Sequence, residues 1–404
     1  MRKNNLHALL VIATLASCRF TIAADWRQFR GNEANSVAAG ESLPTELSGD
    51  TVAWKCPLPG RGLSGPIVVG DKVFVSASSG YNQDRLHVVC ISVATGDQLW
   101  QRQFDATGRT MTHDKMCNAT PTMASDGERV FALYSSNDLV CLDLNGKLQW
   151  FRGLGSEFPN ASNSLGMSSS PIVIGSTVVV QVESDAEAFA CGVDAISGES
   201  KWQIDRPRAA NWTSPSMLPA NNDQPALALL QSSKGLTAVN PDTGAIVWNF
   251  EKGASTIPSA TVSDGAVVIP SNGLTAIRPA GGAFEELWNS SGLSPATSSP
   301  VVVDGRAFVM NSAGVLSAGD TKSGERVWQV RLKGSFSSTP IFAGGYLYAF
   351  SESGTAFVVK PETDKGVIVS ELDLTETILC SPSAANGALY VRSDKHLFKL
   401  AKRP

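Results

Sequence analysis

The chain has 404 residues, of which 43% are hydrophobic and only 17% charged, with 36 glycines and 21 prolines. That balance suits many short strands joined by turns and excludes an architecture of long solvated helices. A formal net charge of -4 without a basic block excludes a nucleic-acid surface.

Residues 1–24 read as an export signal. Arg2 and Lys3 precede an apolar run, Ala8 to Ala16, that is too short to cross a bilayer. Two cleavage routes stay open. Leu15-Ala16-Ser17-Cys18 fits a lipoprotein site that would leave Cys18 as a lipid-bearing first residue. Thr21-Ile22-Ala23-Ala24 fits ordinary cleavage, favoured by the change of composition at Asp25-Trp26. Both imply an exported, periplasmic chain whose membrane attachment is limited to an anchor at Cys18. Residues 25–50 then form a lead-in segment and 51–404 one repetitive domain. The six remaining cysteines, Cys56, Cys90, Cys117, Cys141, Cys191 and Cys380, are too far apart for a Cys-x-x-Cys metal or haem site and read as structural.

Two landmarks alternate along the domain. A small residue with proline opens eight units, as in Ser64-Gly65-Pro66, Ser169-Ser170-Pro171 and Ser298-Ser299-Pro300. A glycine turn leads into tryptophan at Trp100, Trp150, Trp202, Trp248, Trp288 and Trp328, 40 to 52 residues apart. Between them lie four short apolar stretches separated by turns such as Asp304-Gly305, where glycine reaches positive φ without a Cβ clash. Four strands per repeat at this period predict an all-β, eight-bladed β-propeller of antiparallel four-stranded blades. The last unit has room for three strands, so the segment around Trp54 is expected to supply its fourth and close the ring. The seventh unit, around Val367-Ile368-Val369, lacks a tryptophan. Asp143, Asp194 and Asp320 recur in phase before the turn glycines and read as turn-forming carboxylates.

The turn-and-tryptophan segments, such as Asn240-Pro241-Asp242-Thr243-Gly244-Ala245-Ile246-Val247-Trp248, resemble the tryptophan-docking motif of pyrroloquinoline-quinone-type propellers. The resemblance covers nearly all of residues 50–404. It implies that each tryptophan, Trp54 included, docks on the neighbouring blade and hydrogen-bonds to it. The family contains calcium-dependent quinone dehydrogenases and cofactor-free propellers, among them an exported lipoprotein supporting outer-membrane barrel assembly. The dehydrogenases carry an adjacent cysteine pair and enclosing insertions that this chain lacks. The expectation is therefore a non-catalytic scaffold for protein or peptide partners, with no cofactor. A periplasmic dehydrogenase using the quinone and Ca²⁺, or a carbohydrate-binding propeller, is the alternative.

The longest connections, residues 79–85, 104–118 and 153–166, fall in the first three blades and are expected on one face, where loops on a rigid scaffold carry function. Arg85, Arg109, His113, Asp114, Lys115 and Asn118 are the candidate ligand residues there, and Trp212 is placed either at the channel mouth or in the core. Glu183, Asp185 and Glu187 could offer oxygen ligands to Ca²⁺, against the simpler reading of a solvated edge loop.

Overall fold

The computed structural model describes residues 25–222 and 224–402. The expected export segment and Cys18 lie outside the described residues. Eight sheets, each with four antiparallel strands, follow one another around the ring in chain order. The strands of each blade are called A to D from the channel outwards. Val52–Pro57 pairs antiparallel with His396–Ala401 as strand D of blade 8, so the expected closure by an N-terminal strand is present. Such pairing leaves neither end of the ring with an open inner seam.

Tryptophan docking follows from the C–D turns. In blade 4, Asn240 Oδ1 accepts the backbone N–H groups of Asp242 and Thr243 at 2.9 and 3.1 Å, and Asp143, Asp194 and Asp320 do the same work in their blades. The turn ends on Gly244 at φ +71°, where an added Cβ would stand 2.7 Å from the Trp202 ring of the preceding blade. The indole N–H groups of Trp54, Trp100, Trp150, Trp202, Trp288 and Trp328 donate to carbonyls of the next blade at 2.6–3.2 Å. Each ring thus buries a flat apolar area and still satisfies its polar edge.

Trp248 departs from the expectation. Its ring is buried and meets Phe284 edge-on, but its N–H has no partner. The reason lies in blade 5, where strands Leu274–Ala280 and Ala283–Ser290 run longer and turn at Gly281-Gly282, so the Asx-type turn that offers the acceptor elsewhere is replaced by a tight hairpin.

The lead-in segment crosses the face formed by the A–B turns. Asp25 Oδ1 accepts from Gly70 N in blade 1 at 2.8 Å, and Gln28 Oε1 from Val173 N in blade 3 at 3.1 Å. The wholly buried Arg30 donates to Ala260 O and Thr261 Oγ1 of blade 5 at 2.7 and 2.6 Å. Val37–Ala38 adds a parallel fifth strand to blade 7, and Glu41 accepts from Asn386 and Gly387 in blade 8. The segment therefore closes one end of the channel. The cysteines from Cys56 to Cys380 are buried and unpaired.

Candidate binding site at the channel mouth

The innermost strands converge on an interlocked ring. The backbone N–H of Gly65 donates to Thr122 Oγ1 at 2.8 Å, Thr122 N to Ser170 Oγ at 3.0 Å, and Ser170 N to Ser214 Oγ at 2.9 Å. The series continues through Ser259, Ser299 and Thr339 to Ser381 at 2.9–3.0 Å. Gly65 brings no hydroxyl, so the ring opens at blade 1. The register also corrects the proline landmark. In blades 2 and 5 the hydroxyl residues Thr122 and Ser259 follow Pro121 and Pro258, whereas elsewhere the proline comes after the hydroxyl position. The repeated element is the hydroxyl, because it joins blade to blade.

Above this ring the channel opens into an apolar cavity of about 380 Å³, with Phe29 of the lead-in lining it from the closed side. Residues two positions before the ring form its upper wall: Leu63 and Leu379 from blades 1 and 8, Trp212 and Ile257 from blades 4 and 5. Small hydroxyl residues fill the remaining quadrants. Trp212 is fixed by its N–H to Gly166 O at 2.8 Å and by Ser168 Oγ donating to its carbonyl at 3.0 Å. Leu165 and Ile257 of the lining are exposed, and Tyr81 and Met111 are exposed on the connections 79–85 and 104–118 of the long-loop face. Apolar side chains left exposed at the lining of an apolar cavity mark an interaction site.

Of the candidate ligand residues, the structure gathers His113, Lys115 and Trp212 at this mouth. Lys115 Nζ pairs with Glu352 Oε2 of blade 7 at 2.9 Å, tying the blade 1–2 loop to a distant B–C turn. Burial alone would raise the Glu352 carboxyl, but the bonds from Ser337 and Lys115 outweigh it and hold the group below its ordinary range. Asp114 is exposed on the same loop outside the cavity wall, and Arg85 and Arg109 point to solvent elsewhere. Asn118 is buried: its side chain joins Gln83 O to Ser136 N at 3.1 and 2.8 Å, so it staples the loops together. Leu63, Met116, Ile257 and Leu379 were not singled out from sequence; for Leu63, Ile257 and Leu379 a fixed offset of two residues before the ring position is the signal that finds them.

Glu183, Asp185 and Glu187 do not converge. Glu183 forms a buried ion pair with Arg206 at 2.7 Å, Asp185 accepts from Ala210 N and Glu187 from Asn160 N. The mouth does not fit a calcium-bound quinone either. Ca²⁺ takes 6–8 oxygen ligands, usually with carboxylates among them, and the cavity wall holds neither aspartate nor glutamate.

The family model described as "Outer membrane protein assembly factor BamB" matches residues 44–217, 104–269, 232–363 and 312–403. The protein of that name from Burkholderia pseudomallei (strain K96243) is 25% identical over 337 residues, which covers 77% of this chain and 79% of the relative. The crystal structure of BamB from Moraxella catarrhalis superposes with a TM-score of 0.64 at 17% identity, covering 87% of this chain and 97% of that one. A europium-containing methanol dehydrogenase gives 0.71 at 14% identity, covering 92% and 90%, a likeness of fold alone. With matches spanning nearly the whole ring, the chain belongs to the family of the outer membrane protein assembly factor BamB.

Proposed function

We propose that this propeller is a non-catalytic docking scaffold in the periplasm that serves outer membrane protein assembly by binding protein or peptide partners at its long-loop face. The observation that carries this reading is the apolar mouth: a blind cavity without a carboxylate in its wall, with exposed Leu165 and Ile257 in its lining and exposed Tyr81 and Met111 on loops of the same face. Rigid aromatic and aliphatic anchors around a pocket are the anatomy of protein-binding hot spots. Membership of the assembly-factor family supports the same reading.

The test is co-purification of tagged protein with the outer-membrane assembly machinery of its own cell. Met111→Asp with Leu165→Asp should abolish recovery, and Ile196→Asp on a C–D turn should preserve it. Recovery that ignores the mouth variants would sink the placement. Dye-linked alcohol oxidation after addition of quinone and Ca²⁺ would overturn the non-catalytic reading.

A further inference from the structure

Two tiers of hydroxyls line the channel, and they have opposite hydrogen-bonding polarity. In the lower tier each Ser or Thr oxygen accepts a backbone N–H from the preceding blade, and among the described residues none of the seven hydroxyls donates to a protein acceptor. Six of them, Thr122, Ser170, Ser214, Ser259, Ser299 and Thr339, are at least nine-tenths buried, and all line the cavity. A hydroxyl has one hydrogen to give, so this tier offers free O–H donors to whatever reaches it. In the upper tier the hydrogens are already given away: Ser168 to Trp212 O, Thr297 to Phe336 O and Ser337 to Glu352 Oε1, at 2.7–3.0 Å. Those oxygens present lone pairs instead.

The upper tier is also divided by quadrant. Trp212 and Ile257 of blades 4 and 5 stand opposite Leu379 and Leu63 of blades 8 and 1. Thr120 and Ser168 of blades 2 and 3 stand opposite Thr297 and Ser337 of blades 6 and 7. An extended peptide has this cross-section: successive side chains point to opposite sides, while N–H and C=O groups point at right angles to them. Phe29 and the lead-in block the far end, so a chain cannot thread through and must present a terminus. The free O–H donors below match a carboxylate and oppose an ammonium group, which can only donate, and no aspartate or glutamate lines the cavity itself; Lys115 at the rim is already paired with Glu352.

We propose that the channel is a receptor for the C-terminal end of an extended apolar peptide, which enters carboxylate first. The proposal rests on the docking function above and names its ligand: side chains fill the two apolar quadrants, N–H groups meet the upper oxygens, and the terminal carboxylate meets the ring of free hydroxyls.

The experiment is titration calorimetry of the purified full chain with an acetylated seven-residue peptide of alternating threonine and phenylalanine. The peptide is supplied as the free acid and as the C-terminal amide, with dodecanoate as a third probe. The free acid should bind one to one, and amidation should weaken binding at least about tenfold, the scale of one charge-assisted hydrogen bond. Ile257→Asp, shown folded by circular dichroism, should weaken the acid by a similar factor. Ile196→Asp should leave it unchanged. Tryptophan emission should shift to the blue on binding, and Trp212→Phe should remove that shift. Equal affinity for acid and amide, no binding of the acid, undiminished binding by folded Ile257→Asp, or capture of dodecanoate with rejection of both peptides would each overturn the proposal. If the peptide fails while Met111→Asp with Leu165→Asp still abolishes partner recovery, only end-on insertion falls and the docking function stands.

Discussion

Leu47 of the lead-in donates its backbone N–H to Ser370 Oγ at 2.8 Å, and Ser370 holds the position that tryptophan occupies in the other docking blades. The register proves the equivalence: Ser370 faces Val358 beside a bulge, as Trp328 faces Ala318. The missing docking residue of blade 7 is thus answered by a segment more than 300 residues earlier in the chain, and Leu47 is buried in the core shared by blades 7, 8 and 1. Leu47→Ala should cost about 2–5 kcal/mol, as for other buried leucines, read as a lower urea midpoint with an unchanged slope. A loss below about 0.5 kcal/mol would show that the seam is sealed without it.

The tryptophans should not respond alike to losing their N–H. Trp202 donates to Pro241 O at 2.6 Å in a buried seam, whereas Trp248 has no acceptor. Trp202→Phe should lose about 1–3 kcal/mol, because a buried carbonyl is left unpaired. Trp248→Phe removes an unsatisfied donor and should be neutral or slightly stabilising. Parallel thermal melts decide it, and equal losses would refute the assignment.

Acid should attack the ring at its closure. Glu376 accepts from Lys55 Nζ at 2.7 Å and His396 Nδ1 at 3.0 Å, and from Ser393 Oγ, so it clasps both closing strands. Burial alone would raise its carboxyl, but these bonds outweigh burial and hold it at about 2. A depressed carboxyl contributes stability above its unfolded value, about 4.3, and that contribution is lost as pH falls towards about 2. Glu376→Gln should therefore lower stability at pH 7 and flatten the acid limb between about 5 and 2. Hydrogen exchange of residues 52–57 should rise in the same variant at neutral pH.

The thiols should be inert while the ring is folded. Burial pushes Cys90, Cys141 and Cys191 up to about 12 and Cys380 up to about 11, and the thiolate is the reactive form. Iodoacetamide at pH 8 should leave the cysteines from Cys56 to Cys380 unmodified by mass spectrometry, and guanidinium should expose all six. Burial raises Cys56 and Cys117 as well, so rapid native labelling of any of the six thiols would contradict the packing.

Much of this fold is legible because docking imposes local rules. A glycine at positive φ and a tryptophan four residues later can be counted, and Trp54 before the first unit signals the closing strand. The exceptions are non-local. Nothing near Trp248 announces that the next blade will turn at Gly281-Gly282, and nothing near Ser370 points to Leu47. At the site, polar side chains on long loops drew attention to Arg85, Arg109 and Asn118, yet two are solvated and one is a staple. Trp212 stood out because it broke the repeat phase. The apolar wall was hidden because Leu63, Ile257 and Leu379 look like ordinary core residues until the hydroxyl register aligns them.

The closing strand also sets an order of events. Residues 52–57 find their partners only at 396–401, and Val37-Ala38 only at Phe342-Ala343. A chain made from its N-terminus must carry both segments unpaired until nearly every blade exists. Contacts this distant in sequence form late, so laying the channel floor and shutting the ring become the final acts of folding. Before them the nascent propeller has an open seam, and that interval is when it is most exposed to mispairing with other strands.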